Sequence, residues 1–169
     1  MNAQSIFLDS QALMVPDGDY YQRALGLITG SRRICIASIF IIDHNLAGGR
    51  EALVDALLVE MASAAWRGVD VRLLVGGSKS NVRIWRSAMV ALRRAQELGV
   101  DARIANLREG SSSHAKVLLA DDAVLLGSHN WSASMFGGQV QDSIQVRGQA
   151  LASRLEHYLL AQWTSAGEA

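Results

Sequence analysis

Two periods of apolar and polar residues follow one another along this chain and predict its elements. The run over residues 33–42 is almost wholly apolar and β-branched, which is typical of a strand covered on both faces. Segments with helical spacing lie between such runs and end at glycine-containing turns. The pattern predicts strands over 6–8, 33–42, 69–75, 100–105 and 140–146, and helices over 19–28, 50–66, 82–98 and 150–163.

The order strand, helix, strand recurs through the middle of the chain. Such an order predicts an α/β fold in which a mixed, largely parallel β-sheet is flanked by helices on both faces. A hairpin over 114–131 and the strand over 140–146 add antiparallel members, and 131–138 is a loop or a short helix. No linker or tandem repeat interrupts the 169 residues, so we expect one domain over 1–169.

The hairpin carries the candidate chemistry. His114 and Lys116 are two residues apart, so a strand places both on one face. Asp121 punctuates the run as a turn residue, and Ser128 and Asn130 again alternate onto one face. An imidazole, an ammonium, a hydroxyl and a carboxamide can thus meet, which suits a bound phosphate diester. The alternative, a hairpin with a partly exposed His and Lys, leaves this one-sided arrangement unexplained.

The motif His114-x-Lys116-x4-Asp121, followed by Gly127-Ser128-x-Asn130, resembles the HKD signature of the phospholipase D superfamily. The resemblance is strong over 114–131 and looser over nearly the whole remaining chain. It implies the mixed-sheet sandwich of that superfamily and a phosphodiesterase that needs no metal or other cofactor.

The resemblance also implies roles for individual residues. His114 is the nucleophile that forms a phosphohistidine, Lys116 and Asn130 hold the non-bridging oxygens, and Ser128 supports them. Asp142 follows the Asn segment, where the family often has a carboxylate and more often Glu. It would accept a hydrogen bond from the second ring nitrogen of His114. Asp121 and Gly127 are interpreted as structural residues of the motif.

Only one His-x-Lys is present in the chain. Hydrolysis by a histidine nucleophile also needs a group that protonates the leaving oxygen, and such help is worth about 10²–10⁴ in rate. Short members with one motif resemble the bacterial endonucleases that form a homodimer with the active site on the two-fold axis. We therefore expect an isologous homodimer in which each chain supplies one His114.

Composition narrows the choice of partner. Half of the residues are hydrophobic, and Lys+Arg balance Asp+Glu at 16 each, so the whole domain does not attract nucleic acid electrostatically. A local patch stays open. Arg83 and Arg86, with Arg93 and Arg94, lie on one side of a predicted helix, which is either a solvated face or a stripe that tracks phosphates.

Other residues have ordinary interpretations. The single cysteine, Cys35, excludes an internal disulfide and reads as a buried residue. His129 points away from Ser128 and is interpreted as packing or surface, His44 as a loop residue and His157 as solvated. Core or interface packing is the default for the tryptophans, although Trp131 follows Asn130 directly and is placed at the mouth of the site.

Three functions remain open. A nuclease acting on DNA or RNA is favoured by the small single-motif chain, the arginine helix and the lack of a membrane anchor. A phospholipid hydrolase or headgroup transferase is favoured by the neutral charge and by Trp131, Met135 and Phe136, which could dip into a membrane surface. The third is a non-catalytic phosphate-binding domain. No leader or apolar run of about 20 residues is seen, so we expect a cytoplasmic protein.

Overall fold

A single mixed sheet carries the parts of the chain that the computed structural model describes, residues 10–43, 51–105, 113–136 and 138–166. Its strands are β1 (Gln11–Pro16), β2 (Ile34–Ile39), β3 (Asp70–Val75), β4 (Asp101–Ile104), β5 (Lys116–Ala120), β6 (Ala123–Gly127) and β7 (Asp142–Arg147). The helices are α1 (Asp17–Gly30), α2 (Glu51–Trp66), α3 (Val82–Glu97) and α4 (Gln149–Ser165), with one 3-10 turn at Ala133–Met135. The predicted strand over 6–8 and His44 lie outside the described residues.

The strand order is β1-β7-β6-β5-β2-β3-β4. The pairs β2–β3 and β3–β4 are parallel, because α2 and α3 cross over between their strands. The other four pairs, β1–β7, β2–β5, β5–β6 and β6–β7, are antiparallel, and a tight turn joins β5 to β6. As a result β1, β2, β3, β4 and β6 point one way, and β5 and β7 the other. The mixed α/β fold is confirmed, with parallel pairing confined to β2, β3 and β4.

Helices cover both faces of the sheet, as predicted. On one face α1, α2 and α3 bury the larger core against residues such as Ala37, Leu73 and Leu118. On the other face α4 packs through Ala152 and Leu159 against the second core cluster, formed by Ile34, Ile36, Leu119 and Val124. Strand β2 is buried along its whole length, in keeping with its continuous apolar run. Within the described ranges, none of the helices combines the length and the apolar character that a bilayer span requires.

The polar motif lies at one end of the sheet, where some strands end and others begin. The carboxyl ends of β2 and β3 lie beside the start of β5, and the end of β6 and the start of β7 follow next to it. Residues from five separate parts of the chain therefore meet at this end of the sheet.

Candidate active site

His114 and Lys116 lie side by side on an aromatic support. His114 precedes β5 and is exposed, and its ring stacks on Phe40 with the centroids 3.8 Å apart and the planes inclined by 26°. Lys116 Nζ is 3.4 Å from His114 Nδ1, donates to the His114 carbonyl at 2.9 Å, and lies 5.2 Å from the centre of the Phe40 ring. The prediction that both side chains occupy one side of the hairpin is therefore confirmed.

The environment of Lys116 weakens its hold on the proton. Its side chain is partly buried against Phe40, and this desolvation lowers the pKa of the ammonium from its ordinary value. A partly desolvated cation interacts more strongly with a phosphate oxygen than a fully hydrated one, because less solvent screens it.

The segment after β2 joins the two halves of the motif. Phe40 N donates to the Ala115 carbonyl at 2.8 Å, and Ile41 N donates to Asn130 Oδ1 at 3.0 Å. Asn130 is buried, with 6% of its surface exposed. Because the side-chain oxygen of Asn130 accepts a hydrogen bond from a backbone N–H, the side-chain nitrogen is the group left to donate to an anion. Two consecutive residues after β2 thus position the two parts of the motif, one that carries His114 and one that carries Asn130.

Asp121 acts through the backbone, as the structural interpretation requires. It lies in the β5–β6 turn with a φ of 52°, a conformation that Asp tolerates better than most residues. Its carboxylate accepts from the N–H groups of Arg32, Arg33 and Ile34 at 2.8, 2.9 and 3.1 Å. Partial burial acts to raise the pKa of Asp121, but these bonds outweigh it and hold the pKa below its usual value.

Ser128 and Gly127 join β6 to β7. Ser128 Oγ lies 3.2 Å from both the carbonyl and the N–H of Asp142, so this hydroxyl is engaged with the backbone of the next strand. A Cβ at Gly127 would overlap Asp142 and Ser143, which explains the glycine. Both residues therefore have structural roles in the described chain.

Asp142 does not make the contact expected of it. It starts β7, two strands away from β5, and its register partner is Pro16. Its charge acts on His129, whereas His114 Nδ1 has Lys116 as its polar neighbour. The predicted His114–Asp142 hydrogen bond is wrong for the single chain, because the intervening β6 separates the two side chains.

Trp131 is also misplaced by the sequence analysis. Its side chain is completely buried, and Nε1 donates to the Tyr20 hydroxyl at 3.2 Å. It therefore belongs to the core rather than to the mouth of the site. Phe136 is buried too and stacks against Tyr20 and Tyr21. Two of the three apolar residues that favoured a membrane surface are thus inside the protein. Trp66, in contrast, departs from core packing and is 88% exposed.

His129 is a packing residue, as interpreted. It is fully buried and stacks on Tyr20 at 4.1 Å, and its Nδ1 pairs with Ser143 Oγ at 2.8 Å. Its Nε2 is 3.3 Å from Asp17 Oδ1, but the two atoms do not form an aligned hydrogen bond. Desolvation lowers the pKa of His129, despite the opposing effect of Asp17. A neutral, enclosed ring of this kind holds the motif segment rather than taking part in chemistry.

Helix α3 divides its arginines between solvent and structure. Arg83, Arg86 and Arg93 are exposed, whereas Arg94 is held by Asp55 of α2 at 2.8 and 3.2 Å. Asn81 caps the start of the helix, and its side chain accepts hydrogen bonds from the N–H groups of residues 83 and 84. Arg83 lines an open cleft of about 360 Å³ together with Ile41, Asp43, Asn81, Ile84 and Ser87. Since Ile41 also anchors Asn130, this cleft adjoins the motif.

Sequence reasoning missed two residues of the site. Phe40 supports both His114 and Lys116, and Gly76 lets the backbone of Phe40 approach, because a Cβ there would lie 2.6 Å from Phe40 Cα. An aromatic residue that ends a buried strand, and a Gly-Gly pair that ends the next strand, were the available signals.

Among the described residues, no three or more His, Cys, Asp or Glu side chains cluster closely enough to hold a metal ion. Lys116, beside His114, is the cation that lies next to the candidate nucleophile.

Comparisons with known proteins give a family and a fold. The family model described as "Cardiolipin synthase, PLD-like domain" matches residues 27–163. Comparison with curated proteins found no significant match. Nuc from Salmonella typhimurium, a phospholipase D family member, is 16% identical, with 95% of this chain and 97% of that chain covered and a TM-score of 0.74.

Two further solved structures share the fold. NucT from Helicobacter pylori is 16% identical over 95% of this chain and 100% of that chain, with a TM-score of 0.72. Phosphatidylserine synthase from Haemophilus influenzae is 13% identical over 88% of this chain and 36% of that chain, with a TM-score of 0.69. At such identities the likeness concerns the fold.

Proposed function

Because the chain belongs to the phospholipase D-like family, we propose that it is a metal-independent phosphodiesterase and, more narrowly, a nuclease that cuts DNA or RNA. The observation that carries the proposal is the pairing of an exposed imidazole, His114, with the partly desolvated ammonium of Lys116 on one aromatic support. The amide of Asn130, oriented by Ile41, is the neutral donor held at the same strand end.

The reaction proceeds in two displacements. His114 attacks phosphorus, so that an N–P bond forms and the P–O bond to the leaving group breaks, while a proton passes to the leaving oxygen. Water then attacks the phosphohistidine, loses its proton to a base, and releases His114. Lys116 and Asn130 stabilise the charge on the non-bridging oxygens in both steps, because their donors are in place before the charge develops.

A second copy of the chain would supply the proton donor. One chain provides a single His114, and His129 is buried and unsuitable as an acid. An apolar row on the α4 face of the sheet, the face opposite to the Lys116 side chain, is a surface on which the copy can dock. Met14, Leu126 and Ile144 are paired side by side across β1, β6 and β7, on the face that bears α4, and are 57%, 39% and 43% exposed. Covering such a row favours association of two copies, and the shared site requires that this association also brings the two His114 side chains together.

The surroundings of the site favour nucleic acid over lipid. Arg83 lines the adjoining cleft, and Arg86 is exposed on the same helix, so that cations continue beyond the reacting phosphate. The apolar residues that supported a lipid enzyme, Trp131 and Phe136, are buried. Two alternatives are distinguished from the nuclease by experiment. One is a phospholipid hydrolase or transferase that acts at a membrane, and the other is a non-catalytic phosphate-binding domain.

The test is to incubate the purified protein in EDTA with plasmid, single-stranded DNA, RNA and labelled phospholipid vesicles. We expect cleavage of nucleic acid and a loss of at least about 10²–10⁴ in the His114→Ala variant. The His157→Ala variant, altered at an exposed histidine of α4, should keep its activity. Release of lipid headgroup without nucleic-acid cleavage would replace the nuclease with a lipid enzyme. Phosphodiester binding without any turnover would leave a binding domain.

The shared site is tested by mixing. After subunit exchange, activity per wild-type chain should fall with the fraction of wild type when His114→Ala chains are added, because only dimers with two imidazoles turn over. His157→Ala chains should cause no such fall. Total activity that simply follows the amount of wild-type chain would show that each chain acts alone.

A further inference from the structure

The loop between β3 and α3 runs directly beside the candidate nucleophile. Gly76 lies against the backbone of Phe40, the residue on which His114 stacks, and its N–H donates to the Ile39 carbonyl at 2.7 Å. The next residue, Gly77, forms an antiparallel bridge with Ser113. Residues 76–81 and the His114 segment therefore form one continuous surface.

An aromatic ring from the first turn of α3 packs against this loop, and a cation of the loop lies over the ring. Trp85 packs against Gly77, since a Cβ at Gly77 would be 3.6 Å from the indole, and the ring is partly exposed. Lys79 is exposed and places Nζ 5.7 Å from the centre of the indole. Antiparallel partners are about 5 Å apart at Cα and neighbours about 3.8 Å apart, so the ring lies within about 14 Å of the His114 Cα.

This pair suits a nucleotide whose base is unpaired. A base can stack on the indole once Lys79 swings aside, and the released ammonium can then bind an adjacent phosphate. Arg83, two residues from Trp85, offers a further cation in the neighbouring cleft, where Asp43 is the acidic residue among the described residues of the lining. In a duplex the base faces are covered by their neighbours, so the indole could stack on a base only after that base had been displaced.

We propose that Trp85 and Lys79 form a stacking subsite for a base next to the scissile phosphate, and that the preferred substrate is therefore single-stranded nucleic acid. This inference rests on the proposed nuclease function, which it extends to the form of the substrate. The subsite depends on an aromatic face and its accompanying cation, so both DNA and RNA strands fit it.

The experiment compares Trp85→Leu with Trp66→Leu, the same change at an exposed tryptophan at the opposite end of the sheet. Cleavage of a single strand and of the matching duplex is measured for each variant, with oligo-dT and oligo-U as separate single-stranded arms. We expect wild type to prefer the single strands. Trp85→Leu should lower kcat/KM for them by roughly 5- to 150-fold and leave the duplex nearly unaffected. Trp66→Leu should behave as wild type.

Two further variants guard against misfolding at Trp85. Trp85→Phe keeps an aromatic face and should restore most of the preference. Lys79→Gln, on the exposed loop, should reduce the salt dependence of binding to single strands by a slope of about 0.7. Equal losses on single strands and duplex, or no loss in Trp85→Leu, would overturn the subsite while the nuclease stands. A wild-type protein that cuts no nucleic acid would overturn the nuclease and the subsite together.

Discussion

The imidazole of His114 rests on the phenyl ring of Phe40 at a centroid distance of 3.8 Å, although Phe40 follows β2 and His114 precedes β5, far apart in the sequence. The same ring lies below Lys116, so a single aromatic side chain sets the position of nucleophile and cation together. The geometry of the site therefore depends on the residues that position Phe40.

Gly76 holds the backbone of Phe40, so Gly76→Ala should damage the site. The added Cβ would meet Phe40 Cα at 2.6 Å, and relieving such an overlap costs about 1–3 kcal/mol or shifts the strand end. A displacement of about 1 Å at the support can lower kcat by about 10²-fold. Gly26→Ala is the control: it lies in α1 with nothing within 4 Å of its Cβ, and should gain about 0.5–1 kcal/mol. Steady-state kinetics and thermal unfolding distinguish them, and unchanged kcat in Gly76→Ala would refute the role of Phe40.

Asp121→Asn should lower stability rather than catalysis. Asn tolerates the same positive φ but loses the charge that accepts three N–H donors, so we expect a loss of about 1–2 kcal/mol in the free energy of unfolding. Asp122→Asn alters a neighbouring exposed ion pair with Arg147 and should cost less than about 1 kcal/mol. Chemical denaturation measures both. Equal losses in the two variants would contradict the assignment.

The same carboxylate predicts a pH dependence. The folded-state pKa of Asp121 is below its unfolded value, so its contribution to stability is complete above about pH 4 and disappears as the pH falls through the folded pKa. The difference in unfolding free energy between wild type and Asp121→Asn should therefore be constant from about pH 5 to 7 and shrink in acid. A difference that grows on acidification would show the opposite sign and refute the clamp.

Lys116 should set the alkaline limit of substrate capture. Desolvation lowers its pKa from 10.5, so kcat/KM should fall at a pH below that value as the ammonium is lost. In Lys116→Arg the guanidinium stays charged to well above pH 12, so this limb should vanish even though the level of activity is reduced. Profiles of kcat/KM against pH measure the effect. An identical alkaline limb in the arginine variant would assign the titration to another group.

The exposed arginines of α3 should contribute to nucleic-acid binding by charge alone. Replacing Arg83 and Arg86 together by Gln removes two cations, and the slope of log affinity against log salt should fall by about 1.4 for a single strand. Arg154→Gln, at an exposed arginine of α4, should leave the slope unchanged. Binding is measured by anisotropy in the His114→Ala background, where cleavage cannot interfere. Unchanged slopes in the double variant would identify the stripe as a solvated helix face.

The sequence predicts the elements well where burial and pairing coincide. The run over 33–42 predicts one long strand, but β2 ends at Ile39. Residues 40–42 remain apolar for a different reason: they pair with the chain at Ala115 and Trp131 rather than along the sheet ladder. Apolar character reports that a segment is buried, and it does not report which neighbour buries it. Phe40 was missed for the same reason.

The site residues were predictable only where the signal is local. His114 and Lys116 share a face because two residues separate them, and that relationship survives folding. The position of Trp131 depends on Tyr20, which lies 111 residues away, and that of Asp142 depends on the strand order. Neither is written in the local pattern. The homodimer stays a prediction, since one chain offers the apolar row but not the partner.

The aspartate and the asparagine of the motif grip the two ends of β2. Asp121 binds the N–H groups of residues 32–34, and Asn130 binds that of Ile41, so the interval between them is matched to a span of about 23 Å. The number of residues between Asp121 and Asn130 is therefore set by the length of β2. A copy of this domain without the histidine would need the same Asp–Asn spacing in order to fold. The spacing alone therefore indicates the fold, and catalytic activity is indicated only by the side chains at the end of the sheet.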